Sequence, residues 1–266
     1  MRRNVTSHIE LYIADRAELV FAISAAKPMP GSTVTDSISF ERRGTEFTPI
    51  VMEDLHGTVL HRFFAEAGPL TIDYAAEVIG HSEPVPVEPL DLVTYLRPSR
   101  YAESDSLLAT AQAEFTGLKG RDLLLGVSSW VGAQLSYVPG SSLPTDGATQ
   151  TLLDRQGVCR DYAHLCVALL RAMDVPARLV SVYAPGLQPM DFHAVAEAYV
   201  DGQWHVVDAT ALAPRQTLLR IATGRDAADT AFLSSHGGNV TLNSMWVTAV
   251  VDELPLDNMD QFVTLG

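Results

Sequence analysis

The sequence predicts an α+β fold in which an all-β, sandwich-like N-terminal domain precedes a domain built from a helix packed on an antiparallel sheet. The apolar residues change from an alternating to a helical period near residue 100, and three strand-like segments follow a long apolar helix. We expect the N-terminal domain over 1–98, the second domain over 99–252 and a solvated C-terminal tail over 253–266.

Short alternating runs fill the first 80 residues. Segments such as "HIELYI" and "EFTPIVM" are rich in Val, Ile, Thr, Phe and Tyr and are separated by Gly, Pro or Asp, as antiparallel strands are. The proline-rich stretch "HSEPVPVEPLD" follows, and proline ends regular structure and stiffens a linker. These patterns predict the domain boundary near residue 98.

The second domain begins with helical spacing in "RDLLLGVSSWVGAQL" and continues with the long apolar segment "CRDYAHLCVALLRAM", which predicts a buried helix that starts at Cys159. Strand-like segments "ARLVSVYA", "HAVAEAYV" and "QWHVVDAT" come next. Asp201-Gly202 separates the last two and favours a type I′ hairpin turn.

Composition excludes several classes of function. Eighteen basic and 32 acidic residues give a net charge of −14, which repels nucleic acids and anionic lipid surfaces, so we expect neither a nucleic-acid nor a membrane partner. Two cysteines and no four-ligand Cys/His pattern predict no metal site and no cofactor. Because His8, Glu10 and Asp15 interrupt any apolar signal-peptide core, we expect a cytoplasmic protein.

Cys159 is the candidate nucleophile. At a helix start, its sulfur lies near unsatisfied backbone N–H groups and the positive end of the helix dipole, both of which favour thiolate over thiol. Cys166 lies two helical turns further on, roughly 10 Å away along the axis, and is predicted to be a core residue. A thiolate used in amide chemistry also needs a base and a group that orients the base.

The predicted hairpin supplies both groups. A two-residue turn at 201–202 pairs positions whose numbers sum to 403, so Tyr199 faces Trp204, an aromatic pair that supports the register. The same register makes His193 and Asp208 diagonal neighbours on one face of the sheet. A shift by one residue would send Asp208 to the opposite face.

Two further residues are candidates for oxyanion support. Tyr137 and Gln134, in "GAQLSYVPG", could donate a hydrogen bond beside the backbone N–H of Cys159, which an oxyanion site needs. The alternative is that both residues belong to a helix end and its packing. His164 is expected to be a polar partner inside the domain.

These motifs resemble a known family. The segments "GVCRDYAHLCVALLRAMDVPARLVSVY" and "HAVAEAYVDGQWHVVDAT" are similar to the core of the transglutaminase-like superfamily, which includes bacterial transglutaminase-like enzymes and cysteine proteases. The resemblance implies a papain-like fold and, as in many members, a β-rich N-terminal domain. It also implies that Cys159 is the nucleophile, His193 the base and Asp208 the orienting acid.

Two positions depart from the family pattern. Val195 stands where the family usually has Trp, and Ala209 stands where it usually has Pro. Neither change removes a catalytic group, but a missing aromatic ring beside the base would alter how water and an acceptor amine reach the site.

The sequence therefore predicts a cysteine-dependent amide hydrolase or acyl transferase with a peptide or protein amide as its substrate. Hydrolysis is favoured because water is the default acceptor. A protein glutamine, a peptide bond, a cell-wall peptide and a small amide remain open as acyl donors. The alternative is a non-catalytic peptide- or protein-binding module on the same scaffold, which would have no need of all three catalytic groups.

Overall fold

The computed structural model describes residues 1–84 and 86–265. Val85, in the predicted linker, and Gly266, in the predicted tail, lie outside the described residues. The first seven strands are β1 (Arg2–Ile13), β2 (Ala17–Phe21), β3 (Ser32–Arg42), β4 (Thr45–Glu46), β5 (Ile50–Glu53), β6 (Val59–Ala65) and β7 (Gly68–Gly80).

These strands form two antiparallel sheets that share one hydrophobic core. In β1, buried and exposed residues alternate along the strand, as the period-two sequence pattern predicts. Phe40 of one sheet contacts Phe21 and Phe63 of the other, with ring centroids 6.0 Å and 5.4 Å apart. The predicted β-rich N-terminal region is thus confirmed.

Helices and strands alternate in the second part of the chain. Its elements are α1 (Pro89–Thr94), α2 (Leu108–Phe115), α3 (Gly120–Gln134), β8 (Ser136–Tyr137), α4 (Ala148–Asp154), β9 (Gln156–Gly157), α5 (Cys159–Ala172), β10 (Ala177–Tyr183), β11 (Phe192–Val200), β12 (Gln203–Val207), β13 (Leu219–Gly224) and α6 (Ala227–Thr230). An antiparallel sheet has the strand order β12-β11-β10-β13, and α5 packs on it with α2 and α3 alongside. The predicted helix on an antiparallel sheet is confirmed.

The β11–β12 hairpin has the predicted turn and register. Asp201 and Gly202 have φ values of 53° and 82°, and two successive positive φ values define a type I′ turn. Tyr199 is paired with Trp204, and their ring centroids lie 5.5 Å apart. The side chains of β11 and β12 therefore face the directions that the sequence predicts.

The C-terminal limit of the predicted second domain is wrong. Strands β14 (Leu233–His236) and β15 (Val240–Val251) pair with β2 and β1, so they complete the two N-terminal sheets rather than extend the central one. Buried and exposed residues alternate along the 12 residues of β1. Its edge opposite β7 would be unpaired without β15, and an unpaired edge strand exposes backbone N–H and C=O groups. Tyr183 and Leu219 of the central sheet also join the N-terminal core, so the two halves are packed together.

The predicted solvated tail is a second correction. Val263 and Leu265 are buried against the central sheet, and the Val263 carbonyl accepts a hydrogen bond from the Val206 N–H at 2.8 Å. Arg215 donates to both carboxylate oxygens of Asp257, at 2.9 Å and 3.0 Å. The segment has three acidic residues but also six apolar ones, and the burial of apolar residues decides its position because it is favourable. No helix in the described ranges is both long and apolar enough to cross a membrane.

Candidate active site

The Asp161 side chain, in the first turn of α5, stabilises the start of that helix. The Asp161 carboxylate accepts hydrogen bonds from the Val158 N–H at 2.8 Å and from the Ser142 hydroxyl at 2.6 Å. A side chain on Gly157 would place its Cβ 2.7 Å from the Asp161 Cβ, so only glycine fits there without displacement. Gly157 and Asp161 together fix the turn that presents Cys159.

Arg160 ties the preceding loop to this turn. Its guanidinium donates to the Asp161 carboxylate at 2.8 Å, to the Ser142 hydroxyl at 3.0 Å and to the Leu143 carbonyl at 2.8 Å. Two of the three guanidinium nitrogens of Arg160, Nε and Nη2, are therefore engaged within the protein.

The two cysteines differ in accessibility. Cys159 is partly exposed and packs against Ala163 of α5 and Ala194 of β11. Cys166 is completely buried, and burial raises the pKa of its thiol. Of the two thiols, only that of Cys159 is within reach of a substrate.

His193 and Asp208 form a buried pair, as the hairpin register predicts. His193 Nε2 lies 3.2 Å from Asp208 Oδ2, and both side chains are almost completely excluded from water. The other carboxylate oxygen, Oδ1, accepts hydrogen bonds from the Thr210 N–H at 2.9 Å and the Thr210 hydroxyl at 2.7 Å. Thr210 thus fixes the carboxylate with Oδ2 directed at the imidazole.

The charges of this pair stabilise each other. Burial alone would lower the pKa of His193, but the Asp208 carboxylate and then the Cys159 thiol raise it, to about 10. Burial alone would raise the pKa of Asp208, but His193 and Thr210 hold it below its ordinary value. Among the described residues, His193 Nδ1 has no hydrogen-bond partner, so it is the nitrogen available to the neighbouring thiol.

Tyr137 lies beside the turn that precedes Cys159, and Gln134 is the last residue of the helix before it. Tyr137 lies in β8, which pairs in parallel with β9 immediately before α5, and it is 39% exposed. Burial raises the pKa of Tyr137, the Cys159 side chain raises it further, and the Cys159 backbone N–H opposes this effect. Gln134 ends α3, and no hydrogen bond joins its side chain to Cys159 in the part of the chain that the structure describes.

A solved structure is similar to this chain over nearly its whole length. The crystal structure named "a Putative Cysteine Protease from Cytophaga hutchinsonii" superposes with a TM-score of 0.86 at 31% identity, over 96% of this chain and 92% of that one. A model of the transglutaminase-like superfamily matches residues 112–209, which include the candidate nucleophile, base and acid. The chain belongs to the transglutaminase-like superfamily.

Members of this superfamily are typically enzymes, and curated relatives of the chain occur in mycobacteria. An uncharacterized Mycobacterium leprae protein is 26% identical over 148 residues, which make up 51% of this chain and 52% of that protein. An uncharacterized Mycobacterium tuberculosis protein is 31% identical over 123 residues, 41% of this chain and 39% of that protein. The match therefore spans about half or less of these curated relatives.

Two polar residues near the candidate active site were not assigned a role from the sequence. Thr210 supports the Asp208 carboxylate, and Asp191 stands two residues before His193, just ahead of β11. An Asp-x-His spacing at the start of a strand could have indicated Asp191, because residues two apart share a side of a strand. The support from Thr210 depends on a local turn that strand periodicity does not reveal.

His164 has the structural role that the sequence predicts. Its Nε2 accepts a hydrogen bond from the Ala227 N–H at 3.0 Å, and burial lowers its pKa to about 4. In residues 1–84 and 86–265, no group of three or more His, Cys, Asp or Glu side chains is arranged to hold a metal ion.

Proposed function

We propose that the protein is a cysteine-dependent amide hydrolase or acyl transferase, with Cys159 as nucleophile, His193 as general base and acid, and Asp208 as the group that orients the imidazole. The observation that carries the proposal is the buried imidazole, which has Asp208 on Nε2 and the Cys159 thiol as its other polar neighbour. A thiol, an imidazole and a carboxylate are the three groups that nucleophilic acyl transfer by a cysteine requires.

In the first step, the Cys159 thiolate attacks the carbonyl carbon of a peptide or protein amide. A carbon–sulfur bond forms, and the carbonyl electron pair moves to oxygen. When the tetrahedral intermediate collapses, the carbon–nitrogen bond breaks and His193 gives its proton to the departing amine. The product of this step is a thioester at Cys159.

The negative oxygen of the intermediate needs donors. Tyr137 is paired with Gly157, two residues before Cys159, and this supports a shared role for its hydroxyl and the Cys159 backbone N–H in binding this oxygen. No hydrogen bond joins the Gln134 side chain to Cys159 among the described residues, so we assign it no part in this step.

In the second step, water or an amine attacks the thioester while His193 removes its proton, and the thiolate is restored. Because the sulfur is partly exposed and Val195 supplies no aromatic screen, water has access, and we propose hydrolysis as the principal outcome. Asp208 remains ionised throughout and holds the imidazole in one orientation.

The first test compares the alkylation of the two cysteines by iodoacetamide at pH 6, read by peptide mass spectrometry. We expect Cys159 to react at least about tenfold faster than a small thiol with the ordinary pKa of about 8.5. Cys166 should remain unmodified in the folded protein. H193A should abolish the excess reactivity, and H236A, which removes an exposed histidine on β14, should leave it unchanged.

Equal, slow alkylation of Cys159 in the wild type and H193A would contradict the proposal and favour the binding module. If Cys159 is activated, the reaction with an amide substrate is repeated with added primary amines, and the product distinguishes a transferase from a hydrolase. A new amide product indicates transfer, and a free acid alone indicates hydrolysis.

A further inference from the structure

β15 forms the longest open sheet edge among the described residues. It lies at the end of the sheet β15-β1-β7-β3-β4, and no described strand pairs with its other side. The remaining edges are short or covered. β4, β5 and β14 have two, four and four residues. On β12 the Val206 N–H donates to the Val263 carbonyl, and on β13 the Arg220 carbonyl accepts from the Ala26 N–H. Short or covered edges protect a protein against unwanted strand pairing, and β15 has neither protection.

The regular part of β15 also has no charge to repel another strand. Residues 244–251 include no charged residue and no proline, in a chain whose net charge is −14. The β-bulge of this strand lies before residue 244, so it does not interrupt these eight residues. Trp246 and Val250 on the outer face are 58% and 46% exposed. Because exposed edge strands usually carry a charge, a proline or a bulge, an uncharged, regular and apolar edge indicates a strand that is paired in solution.

The register with β1 shows which backbone groups of β15 point away from the sheet. The Asp252 N–H donates to the Arg2 carbonyl, so these two residues form a hydrogen-bonded pair. Hydrogen-bonded and non-hydrogen-bonded pairs alternate along an antiparallel ladder. The register runs without a shift from there to Ser244, so every second residue of β15 bonds to β1. The N–H and C=O groups of the residues between them point to the open edge, and these residues are 245, 247, 249 and 251.

These four residues are complementary to the same four residues of a second copy. If 245 faces 251 and 247 faces 249 on an antiparallel strand, every outward N–H and C=O group has a partner, and a two-fold axis passes beside Thr248. In this register Trp246 faces Val250 of the second copy, so the two most exposed apolar side chains of residues 244–251 cover each other. Asp252 faces Ser244 of the second copy, so no like charges are directly opposed.

We propose that two copies of the chain associate through β15 into a two-fold symmetric dimer, in which the sheet β15-β1-β7-β3-β4 continues across the axis into its counterpart. A second copy fits this edge better than a charged peptide, because residues 244–251 offer no charged side chain to recognise one. Self-pairing in the register above also satisfies all four outward residues of both copies at once. Cys159 and His193 lie on α5 and β11, so the dimer does not depend on the proposed catalytic activity.

The test compares the wild type with T248K and T6K by sedimentation equilibrium from about 1 to 100 μM. T248K places two ammonium groups at facing positions on the axis, with Cβ atoms about 5 Å apart. T6K is a matched control, because the Thr6 and Thr248 hydroxyls are hydrogen-bonded to each other at 2.6 Å, and each variant loses this bond and adds one positive charge. Residue 6 of one copy would lie three strand spacings, about 14 Å, from residue 6 of the other.

We expect the wild type to dimerise in this range, T248K to raise the dissociation constant of the dimer by about tenfold or more, and T6K to raise it by less than about threefold, because charges 14 Å apart are largely screened by salt. Hydrogen–deuterium exchange locates the contact: peptides that cover residues 244–251 should exchange more slowly at high concentration than after dilution, in the wild type but not in T248K. A wild type that stays monomeric throughout the range would overturn the proposal. A dimer that T248K weakens no more than T6K does, or that gives residues 244–251 no protection, would place the contact elsewhere and overturn it as well.

Discussion

The hydroxyl of Thr210 is a specific target for testing how the candidate acid is held. It donates at 2.7 Å to Asp208 Oδ1, while the Thr210 backbone N–H donates to the same oxygen and His193 contacts the other. T210V keeps the size and branching of the side chain and removes only this donor. T210S keeps the donor and removes one methyl group.

The structure gives the size of the expected effect. A hydrogen bond to a charged, buried group contributes about 1.5–3 kcal/mol, so T210V should lower the free energy of unfolding by that amount near pH 7. T210S should lower it by no more than about 1 kcal/mol, the effect of one buried methyl group.

The pH dependence separates this role from simple packing. The pKa of Asp208 is lowered in the folded protein, so its contribution to stability is complete above the ordinary value of about 3.9 and is lost as the pH falls through the folded value. The difference in unfolding free energy between wild type and T210V should therefore be largest near neutral pH and shrink below about pH 4. Urea unfolding followed by circular dichroism from pH 7 to pH 3 measures it.

Loosening the Asp208 carboxylate should also affect the reactivity of the Cys159 thiol. With Asp208 less well fixed, His193 is held less firmly, and Cys159 should be alkylated more slowly at pH 6 in T210V but not in T210S. If the two variants are alike in stability, in its pH dependence and in alkylation, the hydroxyl does not position Asp208 and the reasoning is refuted.

Three other perturbations have clear expected outcomes. G157A should destabilise the protein and slow alkylation at the start of α5, since the new Cβ meets the Asp161 Cβ at 2.7 Å; a Tm and an alkylation rate equal to wild type would contradict this. Because burial lowers the pKa of His164 to about 4, the unfolded protein binds an extra proton between roughly pH 6.5 and pH 4, so stability should fall on acidification across this window. H164Q, which keeps an acceptor for the Ala227 N–H, should flatten that slope in denaturant titrations, and an unchanged slope would show that His164 is not its source. E197Q should cost about 3–5 kcal/mol in the free energy of unfolding, because it leaves two buried arginines without their shared carboxylate; a loss below about 1 kcal/mol would contradict this account.

Local patterns were sufficient to predict the centre of the second domain. The type I′ turn sets the register of the hairpin by itself, and that register places His193 beside Asp208. The helix start at Cys159 follows from Gly157 and the apolar run after it. Each of these inferences depends on residues that are close in sequence, where turn chemistry and strand period act directly.

Features that depend on distant partners were not predictable in the same way. The alternation of residues 240–251 identifies a strand but not the sheet it joins, and β15 pairs with β1 at the other end of the chain. The irregular spacing of polar and apolar residues in 253–265 does not reveal that two side chains, Val263 and Leu265, hold this segment on the central sheet. The approach of Tyr137 to Cys159 likewise depends on β8 pairing with β9 across 18 intervening residues.

The route of the C-terminal segment bears on how the protein is made. β15 supplies an edge of the first N-terminal sheet, and the following residues return to the central sheet, where Val263 pairs with Val206. Both halves of the molecule thus lack a partner until residues 240–263 have been synthesised. Contacts between residues so far apart in sequence form slowly. A nascent chain would therefore carry the Cys159 thiol for some time on an incompletely closed scaffold, until residues 240–263 have joined it.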